Sequence, residues 1–124
     1  MGFNGLEEGI VSQRCLFCKI VNKEVPANVV YEDEQVLAFY DIRPAAPVHV
    51  LIIPKAHFDS VADVPSGDPL VSVLIERAVQ VASQLGIATE GFRLVFNSGD
   101  NGGQTVYHLH LHLLGGRFMT WPPG

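Results

Sequence analysis

Hydrophobic and polar residues alternate, or form short apolar runs, over five stretches of this chain. Because successive side chains of a β-strand point to opposite faces of a sheet, these patterns predict strands. The predicted strands span 29–31, 36–41, 48–53, 92–96 and about 108–114, and the third is the most hydrophobic. The first two are joined by the polar turn Glu32-Asp33-Glu34-Gln35, which is typical of a hairpin.

A helical period replaces this alternation between about Pro69 and Leu85. Asp68 suits the N-cap, Pro69 the first helical position and Gly86 the position just after the helix. Apolar residues recur at helical spacing along the segment and predict one face packed on the sheet: Leu70, Leu74, Ala78, Val81 and Leu85.

A shorter helix of two turns is predicted from Cys15 to Asn22, and Pro26 ends this region. Together the elements predict an α+β fold: a five-stranded, mainly antiparallel sheet with one long helix and one short N-terminal helix. At 124 residues the chain is long enough for a single domain with one core. We expect residues 1–14, which are polar and mixed, to form a flexible extension, and residues 15–124 to form the domain.

The last predicted strand carries three histidines, His108, His110 and His112. Alternation places all three imidazoles on one face and the intervening leucines on the other. The outer two Cα atoms would lie roughly 13 Å apart, so one or two of these rings can reach a single ion and divided roles are favoured. Just upstream, the turn Gly102-Gly103-Gln104-Thr105 offers permissive backbone whose N–H groups could approach an anion. The combination favours phosphoryl-type chemistry.

The overall charge and hydropathy exclude several classes of partner. Eight basic against thirteen acidic residues give a net charge of −5, whereas binding to nucleic acid or a membrane surface needs a basic footprint. No apolar run approaches the roughly 20 residues that a bilayer span requires, and the N-terminal residues lack a secretory signal pattern. We therefore expect a cytoplasmic protein without nucleic-acid or membrane partners.

Cys15 and Cys18 form a single C-x-x-C pair. In a reducing compartment a structural disulfide is not expected, so the pair is either a redox dithiol or half of a zinc site. His49 lies on the most hydrophobic strand, where a histidine is usually a core residue with a satisfied hydrogen bond, and His57 follows in a loop where we expect exposure. A zinc site would need two such nitrogen ligands.

The last strand matches the histidine triad (HIT) motif, His-φ-His-φ-His-φ-φ with φ apolar, at every position from His108 to Leu114. The chain further resembles the Hint branch of that family, the nucleoside phosphoramidases, in the segments LFCKIVNKEVPA, AFYDIRPAAPVHVLIIPKAH, GGQTVYHLHLHLLGGR and WPPG. The resemblance covers about Cys15 to Gly124. It implies a hydrolase that cleaves the P–N bond of purine nucleoside 5′-phosphoramidates through a nucleotidyl-histidine intermediate.

The resemblance also implies roles for individual residues. It makes His110 the nucleophile, which its central position favours as well, and places His112 at the α-phosphate and Thr105, where this branch usually has serine, near the leaving group. Asp41 would bind the ribose hydroxyls, although an Asp before Arg43-Pro44 is equally consistent with a simple turn. The remaining pocket residues implied are Phe17, Val25, Phe39 and Ile42 around the base, and Asn97, Gly103 and Val106 near the phosphate.

A related branch, the galactose-1-phosphate uridylyltransferases, holds zinc with a C-x-x-C, a distant histidine and the first histidine of its motif. By this resemblance a structural zinc, not required for the chemistry, is predicted on Cys15, Cys18, His49 and His108. The relatives are homodimers in which the terminal tryptophan, here Trp121, reaches toward the partner's site. Two other functions stay open: a dinucleoside polyphosphate hydrolase of the same superfamily, which the WPPG ending disfavours, and a nucleotide-binding regulatory module with little turnover.

Overall fold

The structure, a computed structural model, describes residues 15–124, and the predicted extension of residues 1–14 lies outside them. The elements in chain order are α1 (Leu16–Val21), β1 (Val29–Glu32), β2 (Val36–Tyr40), β3 (Val48–Pro54), a 3₁₀ turn (Val61–Asp63), α2 (Leu70–Gln84), β4 (Phe92–Phe96) and β5 (Leu111–Gly115). The strands form one antiparallel sheet in the order β1-β2-β3-β5-β4. This confirms the predicted α+β fold.

Alternation along the strands sorts their side chains into two buried clusters, one on each face of the sheet. On one face, α2 packs against strand residues that include Val36, Ala38, Val50, Ile52, Leu111 and Leu113. On the opposite face, α1 contributes Phe17 and Ile20, which pack against Leu37, Phe39, Leu51 and Ile53. The short helix therefore covers the face toward which the histidines of the last strand are predicted to project.

The ladder between β3 and β5 begins at Leu111, later than the sequence predicts. It pairs Ile52 with Leu111, and one more step of two residues would bring Pro54 opposite Leu109. Proline has no N–H to donate to a ladder. The N–H of Leu109 instead donates to the carbonyl of Phe58 at 2.6 Å. The first two histidines of the motif consequently precede the regular strand.

The long helix α2 begins at Leu70, one residue later than predicted. Pro69 occupies the N-cap position that was predicted for Asp68. Asp68 lies one residue before it and still accepts the Leu70 N–H on Oδ1 at 2.9 Å. At the other end Gly86 adopts the left-handed φ of +77°, as a residue after a helix commonly does.

Asp33 fastens the turn between β1 and β2 to α2. Its Oδ1 accepts the N–H groups of Gln35 and Val36 at 2.8 and 2.9 Å, and its Oδ2 accepts the Tyr31 hydroxyl and Arg77 Nε, both at 2.7 Å. Partial burial by itself raises the pKa of this carboxyl. The hydrogen bonds from Arg77, Tyr31 and the two backbone amides outweigh that effect and hold the pKa of Asp33 well below its usual range.

Replacing Asp33 with Asn should lower the free energy of unfolding near pH 7 by about 1–3 kcal/mol, because charge-assisted hydrogen bonds are lost. Since the folded-state pKa is depressed, this contribution is present above the unfolded pKa of about 4 and is lost as the pH falls below it. Urea unfolding of both proteins should show a difference that is smaller at about pH 3 than near pH 7. Glu34→Gln, at an exposed neighbour, is the control and should change stability little at either pH. An Asp33→Asn effect that is equally large at both pH values would contradict this account.

Candidate active site and metal site

All five histidines of the chain converge on the α1 side of the sheet. His110 lies between two groups of potential ligand atoms. The first group, here called the thiol–histidine cluster, consists of Cys15, Cys18, His57 and His108. The second, here called the Asp41 cluster, consists of Asp41, His49 and His112. The two groups differ in chemistry, because the first contains two sulfurs and two imidazoles and the second contains a carboxylate and two imidazoles.

The thiol–histidine cluster forms where the start of α1 meets the segment leading into β5. Cys15 is the N-cap of α1, and its Sγ accepts the N–H of Cys18 at 3.3 Å, so the helix itself brings the two thiols together. Nδ1 of His108 lies 3.3 and 3.5 Å from the sulfurs of Cys15 and Cys18. Nδ1 of His57 lies 3.4 Å from the sulfur of Cys18. The four ligand atoms all lie within 4.8 Å of one another.

The hydrogen bonds behind this cluster fix which nitrogen of each ring carries the proton. Nε2 of His108 is 2.9 Å from the carbonyl oxygen of Pro54, and Nε2 of His57 is 2.9 Å from Oδ1 of Asp59. Since both oxygens only accept, each ring donates from Nε2, and in the neutral form the lone pair is then on Nδ1. The two Nδ1 atoms are 3.1 Å apart and face the same two sulfurs.

Four donors of this kind fit zinc. Two thiolates and two neutral imidazoles form a set typical of closed, tetrahedral structural sites, and the Asp59 carboxylate and Pro54 carbonyl are the outer partners that orient such ligands. Burial lowers the pKa of His108 to about 4, so its ring is neutral near pH 7, as a metal ligand must be. With four protein ligands the site would have no open position for water activation.

The structure corrects one predicted metal ligand: His57, and not His49, lies beside the cysteines. In the antiparallel β3–β5 ladder His49 is opposite Leu114, six residues beyond His108, which is roughly 20 Å along a strand. His57 follows the other end of β3, next to His108. Its side chain is only 22% exposed, so the expectation of an exposed loop histidine is also wrong.

His49 instead belongs to the Asp41 cluster, where it fixes the tautomer of His112. The N–H of Ala45 donates to Nδ1 of His49 at 3.0 Å, so the neutral ring carries its proton on Nε2. That Nε2 lies 2.9 Å from Nδ1 of His112 and 3.5 Å from Oδ2 of Asp41. His112 therefore accepts at Nδ1 and offers its Nε2–H as a hydrogen-bond donor. Burial lowers the pKa values of His49 and His112, the latter to about 4, which keeps both rings neutral.

His110 has the opposite tautomer. Its Nδ1 lies 2.7 Å from the carbonyl oxygen of His108, so Nδ1 donates and the lone pair is on Nε2. The residue is 7% exposed, and burial lowers its pKa although the bond to the His108 carbonyl opposes that shift. The Phe17 ring packs edge-on against the His110 ring, with 5.2 Å between ring centroids. The centroid of the His112 ring lies 4.9 Å from that of His110. A neutral imidazole with a fixed Nε2 lone pair is suited to attack an electrophile.

The residues predicted around a base and ribose lie between α1 and the strands that it covers, or beside them. Phe17 and Phe39 pack edge-to-face at 5.5 Å, and Val25 and Val106 contact the same cluster. A cavity of about 220 Å³ opens beside them, and its lining includes Phe39, Asp41 and Ile42. One oxygen of Asp41 accepts the N–H of Arg43 at 2.8 Å, which is the hydrogen bond of a turn-forming aspartate. The other oxygen of Asp41 faces His49. Binding of a nucleotide here stays a prediction.

The loop before the triad is held by Gln104, which the sequence analysis did not single out. Its buried amide donates to the carbonyls of Asp59 and Val106 at 2.6 and 3.0 Å and accepts the N–H of Gly99 at 2.9 Å. The N–H groups of Gly103 and Gln104 donate within the turn, to Asp100 and Gly99 carbonyls. These two amides are therefore occupied, contrary to the expectation that they lie bare for an anion. In the sequence, the feature that could have pointed to this role is the position of the glutamine, directly after two glycines and before a threonine.

Three other predicted residues lie at the margins of this region. Thr105 is exposed in the loop, and Asn97 follows β4 directly and is partly buried. Trp121 is 80% exposed in the C-terminal tail, with the Arg93 guanidinium 6.0 Å from its ring centre. Their predicted contacts with a nucleotide or a partner subunit stay predictions.

The comparison with known families agrees with this geometry. The model of the HIT domain family matches residues 22–119. The chain belongs to the HIT family. This confirms the resemblance that its motif suggested.

Individual relatives of this HIT protein include one member of the Hint branch. The protein named adenylylsulfatase HINT1 of Arabidopsis thaliana is 49% identical over 113 residues, covering 88% of this chain and 76% of its own. The 14 kDa zinc-binding protein of Zea mays is 50% identical over 113 residues, covering 88% and 87%. Among solved structures, a HIT family hydrolase from Legionella pneumophila has a TM-score of 0.86 and 57% identity, covering 89% of this chain and 99% of its own. A zinc-bound histidine triad family protein from Mycobacterium smegmatis has a TM-score of 0.73 and 36% identity, covering 86% and 77%.

None of the helices in the described part of the chain combines the length and the apolar composition that crossing a bilayer requires.

Proposed function

We propose that this HIT protein hydrolyses purine nucleoside 5′-phosphoramidates to the nucleoside monophosphate and an amine. The observation that carries the proposal is the tautomer of His110. The His108 carbonyl holds the ring so that the Nε2 lone pair is available, and burial keeps the ring neutral. The Nε2–H of His112, set by its bond to His49, would donate to an oxygen of the phosphoryl group. A donor fixed before the reaction stabilises the transition state without reorganisation.

The reaction then has two displacements at phosphorus. In the first, the Nε2 lone pair of His110 attacks, the P–N bond to the leaving group breaks with its electron pair on nitrogen, and the amine takes up a proton from solvent. In the second, water attacks the nucleotidyl-histidine, the bond to His110 breaks, and one proton returns to solvent. The sum is one water consumed, with one nucleoside monophosphate and one amine released.

Release of AMP from three substrates tests the proposal. Adenosine 5′-monophosphoramidate should be cleaved with a kcat/KM at least about tenfold above that for diadenosine polyphosphate. Adenylyl sulfate belongs in the comparison because one relative is named an adenylylsulfatase. Preferred cleavage of the polyphosphate or of the sulfate would replace the proposed substrate. Tight AMP binding without turnover of any of them would favour a regulatory module.

We also propose that the thiol–histidine cluster holds one structural zinc ion per chain. The convergence of two cysteine sulfurs and two imidazole nitrogens within 4.8 Å of one another supports this, as does the naming of one relative as zinc-binding and another as zinc-bound. The ion would link the start of α1, and with it Phe17, to the segment that carries the triad. When bound, it supplies a fixed point of the fold and no chemistry at the phosphoryl group.

A homodimer is proposed as the working form. β4 is an edge strand of the sheet, and the nearby tail exposes Phe118 and Trp121, although Arg93 of β4 binds the Thr120 carbonyl at 2.9 Å. An exposed edge strand and exposed aromatic anchors are features of protein interfaces. Light scattering at micromolar concentration should give twice the chain mass, and Trp121→Ala should weaken the association. A monomeric wild-type protein would reject the dimer.

A further inference from the structure

A second and larger cavity, of about 420 Å³, lies at the N-terminal end of α1. It is separate from the 220 Å³ cavity at the opposite end of that helix, which opens beside the residues predicted to surround the nucleoside. Phe17 lies between the two ends and contacts both His108 and His110. The lining of the larger cavity is formed by Cys15, Leu16, His57, Asp59, Thr105, Val106 and Tyr107.

Val106 connects this cavity to the surroundings of His110, because it lines the cavity and packs in the cluster that contains Phe17, whose ring contacts His110. If the nucleoside occupies the smaller cavity and the phosphoryl group lies at His110, the larger cavity is the space left for the leaving group. The wall is firmly held, because Gln104, next to Thr105, binds the backbone carbonyl of Asp59 at 2.6 Å. The inference therefore rests on the proposed function and extends it to the part of the substrate that departs.

The lining combines apolar surface with negative charge. Leu16, Val106 and the ring of Tyr107 supply the apolar part, and no lysine or arginine is among the lining residues. The Asp59 side chain is 64% exposed and uses one oxygen on His57, so its carboxylate retains acceptor sites. The Tyr107 hydroxyl donates to Asp100 at 2.6 Å.

The negative charge of the lining comes from Asp59, and Asp100 lies beside it, hydrogen-bonded to the Tyr107 hydroxyl. Zinc in the adjacent cluster would not offset this negative charge, because two thiolates balance the charge of the ion. A cationic group in this cavity would be attracted, and an anionic one repelled.

We propose that this cavity binds the leaving group, and that Asp59 selects amines whose carbon chain ends in a second, cationic group. The amine nitrogen bound to phosphorus would lie at Thr105, and the chain would cross the apolar wall of Leu16 and Val106. The terminal cation would reach Asp59. During the reaction only the P–N bond breaks, and the terminal cation stays charged throughout.

Four adenosine 5′-phosphoramidates test this. One is the unsubstituted compound, and the other three carry a five-carbon methylene chain on nitrogen that ends in an ammonium, a methyl or a carboxylate group. For the wild-type protein we expect kcat/KM to fall in the order ammonium, methyl, carboxylate, with about three- to fivefold between the first two, as an exposed ion pair provides. Asp59→Asn should bring this ammonium-to-methyl ratio close to one.

The ratio is taken within each variant, so a general loss of activity cancels. Asparagine keeps an oxygen that can accept from His57, and zinc content measured on the same samples checks that the cluster is intact. Glu90→Gln is the matched control, because it removes one exposed negative charge away from this cavity and should leave the ratio unchanged. An equal loss of preference in Glu90→Gln would indicate long-range attraction and overturn the role of Asp59.

Two other outcomes would also overturn the inference. Equal cleavage of all three substituted compounds by the wild type, with the unsubstituted one cleaved as well, would reject this subsite and leave the proposed function standing. Failure to cleave any of the four would reject the proposed function and this inference together.

Discussion

Replacing His110 with alanine should abolish turnover, by at least about 10³-fold in kcat, while AMP still binds. In His110 the Nδ1 atom lies 2.7 Å from the His108 carbonyl oxygen, which leaves the lone pair on Nε2. Among the three triad histidines, no other ring is held in this way. His108 has its Nε2 occupied by the Pro54 carbonyl, and His112 offers an N–H there instead of a lone pair. Neither neighbour can substitute as the nucleophile.

Steady-state release of AMP from adenosine 5′-monophosphoramidate measures the loss, and calorimetry measures AMP binding. Since Phe17 packs on the His110 ring, alanine leaves a hole, and His110→Gln is a second variant that fills more of it. Both must be inactive. His112→Ala removes a hydrogen-bond donor and should cost about 10²-fold while leaving measurable turnover.

A chemical observation complements the kinetics. Rapidly quenched wild-type protein should gain the mass of one adenylyl group, and the His110 variants should not. Retention of more than a few per cent of the wild-type rate by purified His110→Ala would show that another group attacks phosphorus.

Replacing both cysteines with serine should remove about one zinc per chain and lower the melting temperature by on the order of 10 °C. Without the ion, the start of α1 would lose its link to the segment that leads into β5, and the binding free energy of a structural zinc ion contributes directly to folding. Turnover at room temperature should change much less than stability, because the ion has no open position and touches no reacting atom in this arrangement.

Single variants test the ligand set directly. His57→Ala should lose zinc, whereas His49→Ala should keep it and lose activity, because His49 fixes the tautomer of His112. Metal content by mass spectrometry separates the two outcomes. Zinc retained by His57→Ala and lost by His49→Ala would reverse the assignment. A fully folded, metal-free protein whose stability does not respond to zinc would show that the cysteines are only packed.

Local pattern was sufficient for much of this architecture. A period of two predicted the strands and placed Leu109, Leu111 and Leu113 in the core under α2. The capping signals at Asp68 and Gly86 located α2 to within a residue or two. These features depend on interactions between residues close in sequence, so they can be predicted from the sequence without knowledge of the tertiary structure.

The identity of the metal ligands did not follow from local pattern. The C-x-x-C pair indicated a site that needed further ligands, and the resemblance assigned one of them to His49, whereas His57 follows the other end of the same strand. Which of them approaches Cys18 depends on the register between β3 and β5. The two strands lie far apart in sequence, and their register is set by the burial of their apolar faces against each other. Pro54 ends the ladder because it has no N–H to donate.

For the three triad histidines, too, part of the arrangement was predictable from the sequence and part depended on the tertiary structure. The sequence by itself determined that three imidazoles share a face, and the family motif implied which one attacks. Only the tertiary structure decided the tautomers, through the carbonyls of Pro54 and His108 and the N–H of Ala45. The proton of a neutral imidazole goes to the nitrogen that faces an acceptor. For His108 and His112 the deciding partners, Pro54 and His49, lie on β3 and are brought close by the pairing of β3 with β5. His110 and His49 bond to backbone groups close in sequence, whose positions are set by the folded backbone.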